Sequence, residues 1–435
     1  MLRTDAADAL RDRQTEDGYL LPAYGDRSFD QLPATVADCL GVHGVPGDPL
    51  PDDVFEGVRT DAPVVLHVLV DGFGFEQWAR HRNASLFLDR FTETARVSPL
   101  TSVFPSETAA ALTSLHTGVV PARHGLLGWT QYLPEHDLVV KSLPFETPDG
   151  TPAGEFGAEA ADLVADGLTP VYDRLLDAGV DASVLAPAGI PGSAYSRYAF
   201  GDAASAGYDG LDGPEGFTAR LRETIDRAHA NAPAYVWAYL PQVDGAAHEH
   251  GTRADAYGST VGEVFRALGR VVESLDEATA RETLLLVSAD HGLLDMDPAA
   301  NVDLLSDGRV ERAVARDRRG EPLFSGGPRN CGLFAPDEAA MATLDAALSE
   351  RTLPRLASAP DPTLDRALFG PDRSATFEAR RGDLLVVARE TGVWHRRTDV
   401  LDYRGLHGGL HPQEMLVPFA AARTDRLQGL GSDLL

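Results

Sequence analysis

The chain has 435 residues, 43% hydrophobic and 24% charged, enough to bury a large core and to carry an inserted region beside it. Its 38 Lys and Arg stand against 66 Asp and Glu, a formal net charge of −28, and Lys141 is the only lysine. That balance excludes a large docking surface for nucleic acid or an anionic membrane, while an anionic small molecule stays possible if bound cations reverse the local field.

The acid is spread along the chain, which reads as the solvated surface of a halophilic protein. The first sixty residues are polar, with short helical patches, and are expected to wrap the edge of the core. They contain no apolar leader, and no apolar run anywhere reaches the roughly 18 residues of a membrane span, so a cytoplasmic protein is expected. Cys39 and Cys331 lack metal-type spacing and read as reduced thiols.

The first strong element is the run from Pro63 to Val70, which ends in Asp71, Gly72, Phe73 and Gly74. A continuous apolar run suits a parallel strand covered on both faces, and ligands of such sheets bind beyond the strands' carboxyl ends. Asp71 falls there, although an Asx turn with Gly72 would also use it. Next, Val103 to Gly125 reads as a loop, Pro105 to Glu107, feeding a helix from about Thr108 to His116 that stops at Gly118, with Pro121 beyond. A hydroxyl in a helix's first turn sits where backbone N–H groups lack partners, a ready anion site. Thr108 either caps this helix or, beside a metal, presents a nucleophile.

Further strands are expected near Asp137 to Ser142 and Ala182 to Leu185. Residues 144–157 read as a surface loop and 200–216 as a mobile loop, inert or lid-like. The run from Ala234 to Leu240 leads into Asp244 and His248, four apart and so on one face of a helix. Val261, Val264, Phe265, Leu268, Val272 and Leu275 then form a helical core stripe. The strand Thr283 to Val287 ends in Asp290, His291 and Gly292, two ionisable groups that cost stability unless bonded or bound to metal. Residues 298–404 change character and are expected to form a small α+β cap inserted into a core of residues 1–297 and 405–435. The last motif holds His407, Gly408 and Gly409, ahead of a final strand from Leu416 to Ala421.

Asp71, Thr108, Asp244, His248, Asp290, His291 and His407 are thus seven groups at strand ends or in Gly-rich loops. Mixed carboxylate and imidazole ligands suit zinc, or manganese or iron, better than calcium or magnesium, and seven suffice for two ions. Phe73 and Trp129 are candidates for stacking on an organic group of a substrate, or for packing.

With these residues in hand, the chain resembles the alkaline phosphatase superfamily, most closely its type I phosphodiesterase/nucleotide pyrophosphatase branch. The family segment F-P-T-K-T-F-P-N-H-Y-x-L-x-T-G-x-x-P-x-x-H-G aligns without a gap on F-P-S-E-T-A-A-A-L-T-S-L-H-T-G-V-V-P-A-R-H-G. The D-G, D-x-x-x-H, D-H-G and late H-G motifs follow in family order. The resemblance implies an α/β fold, a mostly parallel sheet with helices on both faces. It implies Thr108 as nucleophile, one ion on Asp71, Thr108, Asp290 and His291, and a second on Asp244, His248 and His407. The implied substrate is a small phosphate ester, cleaved through a phospho-threonine. Phosphomonoesters, phosphonates and a non-catalytic metal-binding role are the alternatives. The family's Phe-Pro-Asn is Ala109, Ala110 and Ala111 here, so its substrate contacts do not carry over. Ser106 is a rival hydroxyl out of register.

Overall fold

The computed structural model describes residues 1–350, 355–389, 394–395 and 399–431. Its centre is a seven-stranded sheet, in spatial order Arg96–Thr101, Leu416–Arg423, Thr283–Ser288, Val64–Val70, Ala234–Leu240, Asp181–Pro187 and Ala204–Tyr208. Leu416–Arg423 runs antiparallel to both its neighbours and the other six strands share one direction. The expected mostly parallel α/β fold is therefore present. Val64–Val70 lies mid-sheet and is buried at all seven positions, which is why it is apolar but for His67, whose ring nitrogens meet Tyr235 Oη at 3.1 Å and Ser288 Oγ at 2.7 Å. The stripe on helix Asp255–Ser274 is buried from Val261 to Val272.

Both edge strands depart from the sequence reading. Ala204–Tyr208 falls in the segment read as a mobile loop, yet it pairs in parallel with Asp181–Pro187. Its Ala, Ser and Gly side chains show no strand pattern, because one edge alone is paired and two of its residues are exposed. Arg96–Thr101, with Ser98 and Pro99, was not expected as a strand; proline is tolerated at an edge. The N-terminal segment covers that edge. Arg3 N–H donates to Val97 O at 2.9 Å and Ala23 N–H to Thr101 Oγ1 at 2.8 Å.

A second, antiparallel sheet runs in the order Arg355–Ser358, Leu384–Ala388, Asn330–Leu333, Phe324–Gly327, Thr130–Leu133 and Leu138–Lys141. Four of its strands come from the 298–404 region and two from the segment just after the Thr108 helix. Its pleat splits two cores. Leu385 and Val387 join the main core, whereas Leu384, Val386 and Ala388 pack with Leu344, Ala347 and Leu348 of helix Glu338–Ser349. The two sheets thus meet over the carboxyl ends of the central strands. Among the described residues no helix is long and apolar enough to cross a membrane.

Candidate active site

Each candidate residue sits at a strand's carboxyl end or just beyond it. Asp71 follows Val64–Val70, and Asp290 and His291 follow Thr283–Ser288. Asp244 and His248 occupy helix Gln242–His250, which begins two residues after Ala234–Leu240. Thr108 is the first residue of helix Thr108–Thr117, whose C-cap Gly118 adopts φ 73°, the left-handed stop read from the sequence. His407 follows Gly405–Leu406.

The structure brings all seven together. One oxygen or nitrogen each of Asp71, Asp290 and His291 lies within 4.8 Å of the others, and the same holds for Asp244, His291 and His407. The two groups share His291. His248 joins through Asp244, its Nε2 3.1 Å from Oδ2, and Thr108 Oγ1 lies 3.1 Å from His291 Nε2. The rings of His291 and His407 stack at 3.6 Å.

The three histidines share one arrangement. His248 Nδ1 meets Gly405 O at 2.7 Å, His291 Nδ1 meets Gly292 O at 3.0 Å, and His407 Nδ1 meets Ser106 O at 3.1 Å. A carbonyl can only accept, so each Nδ1 carries a hydrogen and each ring turns its Nε2 inward, where it can ligate a metal once it holds no proton. The Nε2 atoms face carboxylates: His291 Nε2 is 3.2 Å from Asp71 Oδ1, and His407 Nε2 is 3.8 Å from Asp244 Oδ1. Asp71 Oδ1, Asp244 Oδ1 and Asp290 Oδ2 are buried without a hydrogen-bond partner. Carboxylates and Nε2 atoms crowded into a buried site require a cation between them, protons or metal ions. Burial and the Asp71 carboxylate push Asp290 up to about 8. Burial alone would lower His291, but the carboxylates of Asp290, Asp71 and Asp244 outweigh it and lift it to about 10. The residues present therefore fit divalent metal ions.

A cavity of about 280 Å3 opens onto Thr108, Asp244, His248 and His407. Trp129 lines it, as the sequence suggested. Phe73 does not: it is fully buried, packed on the rings of Trp78 and Phe265, because its side chain turns into the core behind Gly72. Ser106 is also settled. Its hydroxyl donates to Gly409 O at 2.8 Å and so fixes the His407 loop. Ala109, Ala110 and Ala111 are buried.

Family-model comparison matches the type I phosphodiesterase/nucleotide pyrophosphatase model over residues 65–409. The chain belongs to the type I phosphodiesterase/nucleotide pyrophosphatase family. No curated protein matches it in sequence. Among solved structures, murine ectonucleotide pyrophosphatase/phosphodiesterase 5 superposes with a TM-score of 0.60 at 16% identity, over 82% of this chain and 87% of that one. An inactive variant of the murine protein, in complex with AMP, gives the same TM-score at 17% identity and the same coverage. Phosphonoacetate hydrolase from Sinorhizobium meliloti 1021, in complex with phosphonoformate, gives 0.56 at 17% identity, over 84% and 94%. These likenesses share the family's fold.

Three contributors escaped the sequence reading. Tyr239 donates its hydroxyl to Asp71 Oδ2. It shares a strand face with Tyr235 and Trp237, an alternation visible in the sequence. Glu107, where the family segment has Lys, is 2% exposed, and its Oε2 accepts the Trp129 N–H at 2.8 Å. Asn330 Nδ2 donates to Glu107 Oε1 at 2.7 Å and to Gly408 O at 2.9 Å, a tie across 223 residues that no local pattern signals. Burial pushes Glu107 up to about 7, against these two donors.

Proposed function

We propose that this chain is a metal-dependent hydrolase of phosphodiester or pyrophosphate bonds that works through a covalent phospho-Thr108. The observation that carries the reading is the convergence of three inward Nε2 atoms with Asp71, Asp244 and Asp290, each of which keeps a buried carboxylate oxygen without a hydrogen-bond partner, and with Thr108 Oγ1 3.1 Å from His291 Nε2. Asp71, Thr108, Asp290 and His291 would hold one divalent ion, and Asp244, His248 and His407 the other. Imidazole with carboxylate favours zinc, then manganese or iron. Bound there, such ions supply Lewis acidity that lowers the pKa of a hydroxyl and neutralises phosphoryl oxygens.

The chain's own residues do the rest. Thr108 sits at a helix N-terminus, where unpaired N–H groups and the helix dipole favour an anion. It is half-buried and open to the cavity, so a substrate phosphorus can reach it. Its Oγ1 bonds to phosphorus as the ester oxygen leaves, and water then hydrolyses the phospho-threonine. Tyr239 and the three carbonyls orient Asp71 and the histidines.

The test is hydrolysis of bis-p-nitrophenyl phosphate against p-nitrophenyl phosphate in molar KCl, with added zinc or manganese and metal analysis of the same sample. Faster diester cleavage with two metals per chain is the expected result. No cleavage of either ester overturns the reading. Phosphonate hydrolysis is the second reading, favoured by the shared fold with phosphonoacetate hydrolase; release of phosphate from phosphonoacetate would select it.

A further inference from the structure

The charges around the cavity bear on which phosphate ester it takes, an inference that rests on the hydrolase reading above. Among the described residues, those lining the 280 Å3 cavity include two carboxylates, Glu107 and Asp244, and neither Lys nor Arg. Asp244 belongs to the metal-ligand set; Glu107 does not. Both Glu107 oxygens are held by donors, Trp129 N–H and Asn330 Nδ2, so the group is locked in place. A Cβ added at Gly327 would lie 1.8 Å from Oε1, one at Gly128 2.6 Å from Oε2, and one at Gly408 2.8 Å from Oε1. The backbone therefore closes around the carboxyl group and leaves it no second position. At 2% exposure, water screens it poorly. The family segment carries Lys at this position, so this chain has an acid where a cation would stand, one residue from the nucleophile.

Away from Thr108 and the histidines the lining is largely apolar: Pro328, Val400, Tyr403, Leu406 and Trp129. Trp129 also lines a neighbouring cavity of about 390 Å3, walled by Leu112, Tyr195, Phe200 and Trp237 and free of Asp, Glu, Lys and Arg. It offers room for an uncharged organic group.

We propose that Glu107 is a specificity-determining residue that repels a second negative charge on the substrate, so that this enzyme takes singly charged phosphodiesters bearing uncharged organic groups. Dianionic monoesters and phosphonocarboxylates bring an extra negative charge into the cavity that Glu107 lines, so of the substrates named above the proposal selects the diesters.

The experiment compares kcat/KM for bis-p-nitrophenyl phosphate and p-nitrophenyl phosphate at pH 9, where a Glu107 pushed up to about 7 by burial is charged, in metal-loaded wild type, Glu107→Gln and Glu107→Lys. Glu107→Gln is expected to narrow the diester-to-monoester ratio about ten-fold, mostly through the monoester KM, and Glu107→Lys to narrow it further. An unchanged ratio with both rates falling together overturns the proposal and leaves Glu107 as a strut between loops. A wild type that cleaves neither ester sinks the hydrolase reading itself, so the two failures are distinct. Since a variant can misfold, wild type supplies a second measurement: inhibition of diester cleavage by phenylphosphonate and by its monomethyl ester. The monoanionic ester is expected to bind about ten-fold more tightly. Equal or tighter binding of the dianion overturns the proposal.

Discussion

Thr108 and Tyr239 divide the labour at the site, and substitution separates them. Thr108→Ala removes the proposed nucleophile but leaves Asp71, Asp290 and His291, so turnover should fall by about 10^3-fold or more while metal analysis shows both ions retained. Wild-type-like turnover would rule out the phospho-threonine. Tyr239→Phe should do the reverse. It removes the hydroxyl on Asp71 Oδ2 without touching the nucleophile, and metal affinity should drop about 10–100-fold, read by titration against a competing chelator. Unchanged affinity would mean that Tyr239 merely packs. The sequence showed the residues that cluster and hid those that orient them. Asp71, Asp244, Asp290 and the histidines lie beside apolar runs, where a polar group needs a reason. Tyr239, Asn330 and Glu107 act through contacts spanning 168 to 223 residues, which spacing alone does not encode.

At the scale of elements, legibility followed burial. Val64–Val70 and Thr283–Ser288 are buried along their whole length and are apolar but for His67, Thr283 and Ser288; Ala204–Tyr208 has two exposed residues, and Arg96–Thr101, though mostly buried, carries Ser98 and Pro99. The second sheet was legible in pieces only, since Thr130–Lys141 and the strands of 324–388 pair across a long stretch of chain. One side-chain pair ties that sheet to the His407 loop. Arg329, beside Asn330–Leu333, meets Glu414 twice, Nε to Oε1 and Nη2 to Oε2, each at 2.8 Å, and both side chains are fully buried. Glu414 also accepts the Gly409 N–H at 2.9 Å, two residues past His407. Replacing Arg329 by Met strands a buried carboxylate and should cost about 3–5 kcal/mol in urea unfolding, whereas Arg329→Met with Glu414→Leu should recover much of it. A single variant as stable as wild type would show that the pair carries no such weight.

For the whole molecule, a charge of −28 is a liability that local pairs only partly relieve. Arginines on the surface hold acids in small groups: Arg309 bridges Asp307 and Glu350, and Arg319 reaches Asp149. Such exposed pairs contribute little each, and the excess acid has no cation to meet. Self-repulsion then opposes compaction over distances that salt screens, with a Debye length of about 10 Å at 0.1 M and about 3 Å at 1 M. Raising KCl from 0.1 to 2 M should therefore raise the unfolding midpoint. The buried acids answer to a different agent. Asp71, Asp244 and Asp290 each keep a buried carboxylate oxygen without a hydrogen-bond partner, and bulk KCl screens such groups far less than it screens the surface. Stripping metal with a chelator should lower the midpoint at both salt concentrations, and restoring zinc should recover it. A midpoint flat in KCl would assign the surface acid to solubility alone. If high salt abolished the chelator's effect, the three carboxylates would be neutralised by solvent ions and not by a held metal.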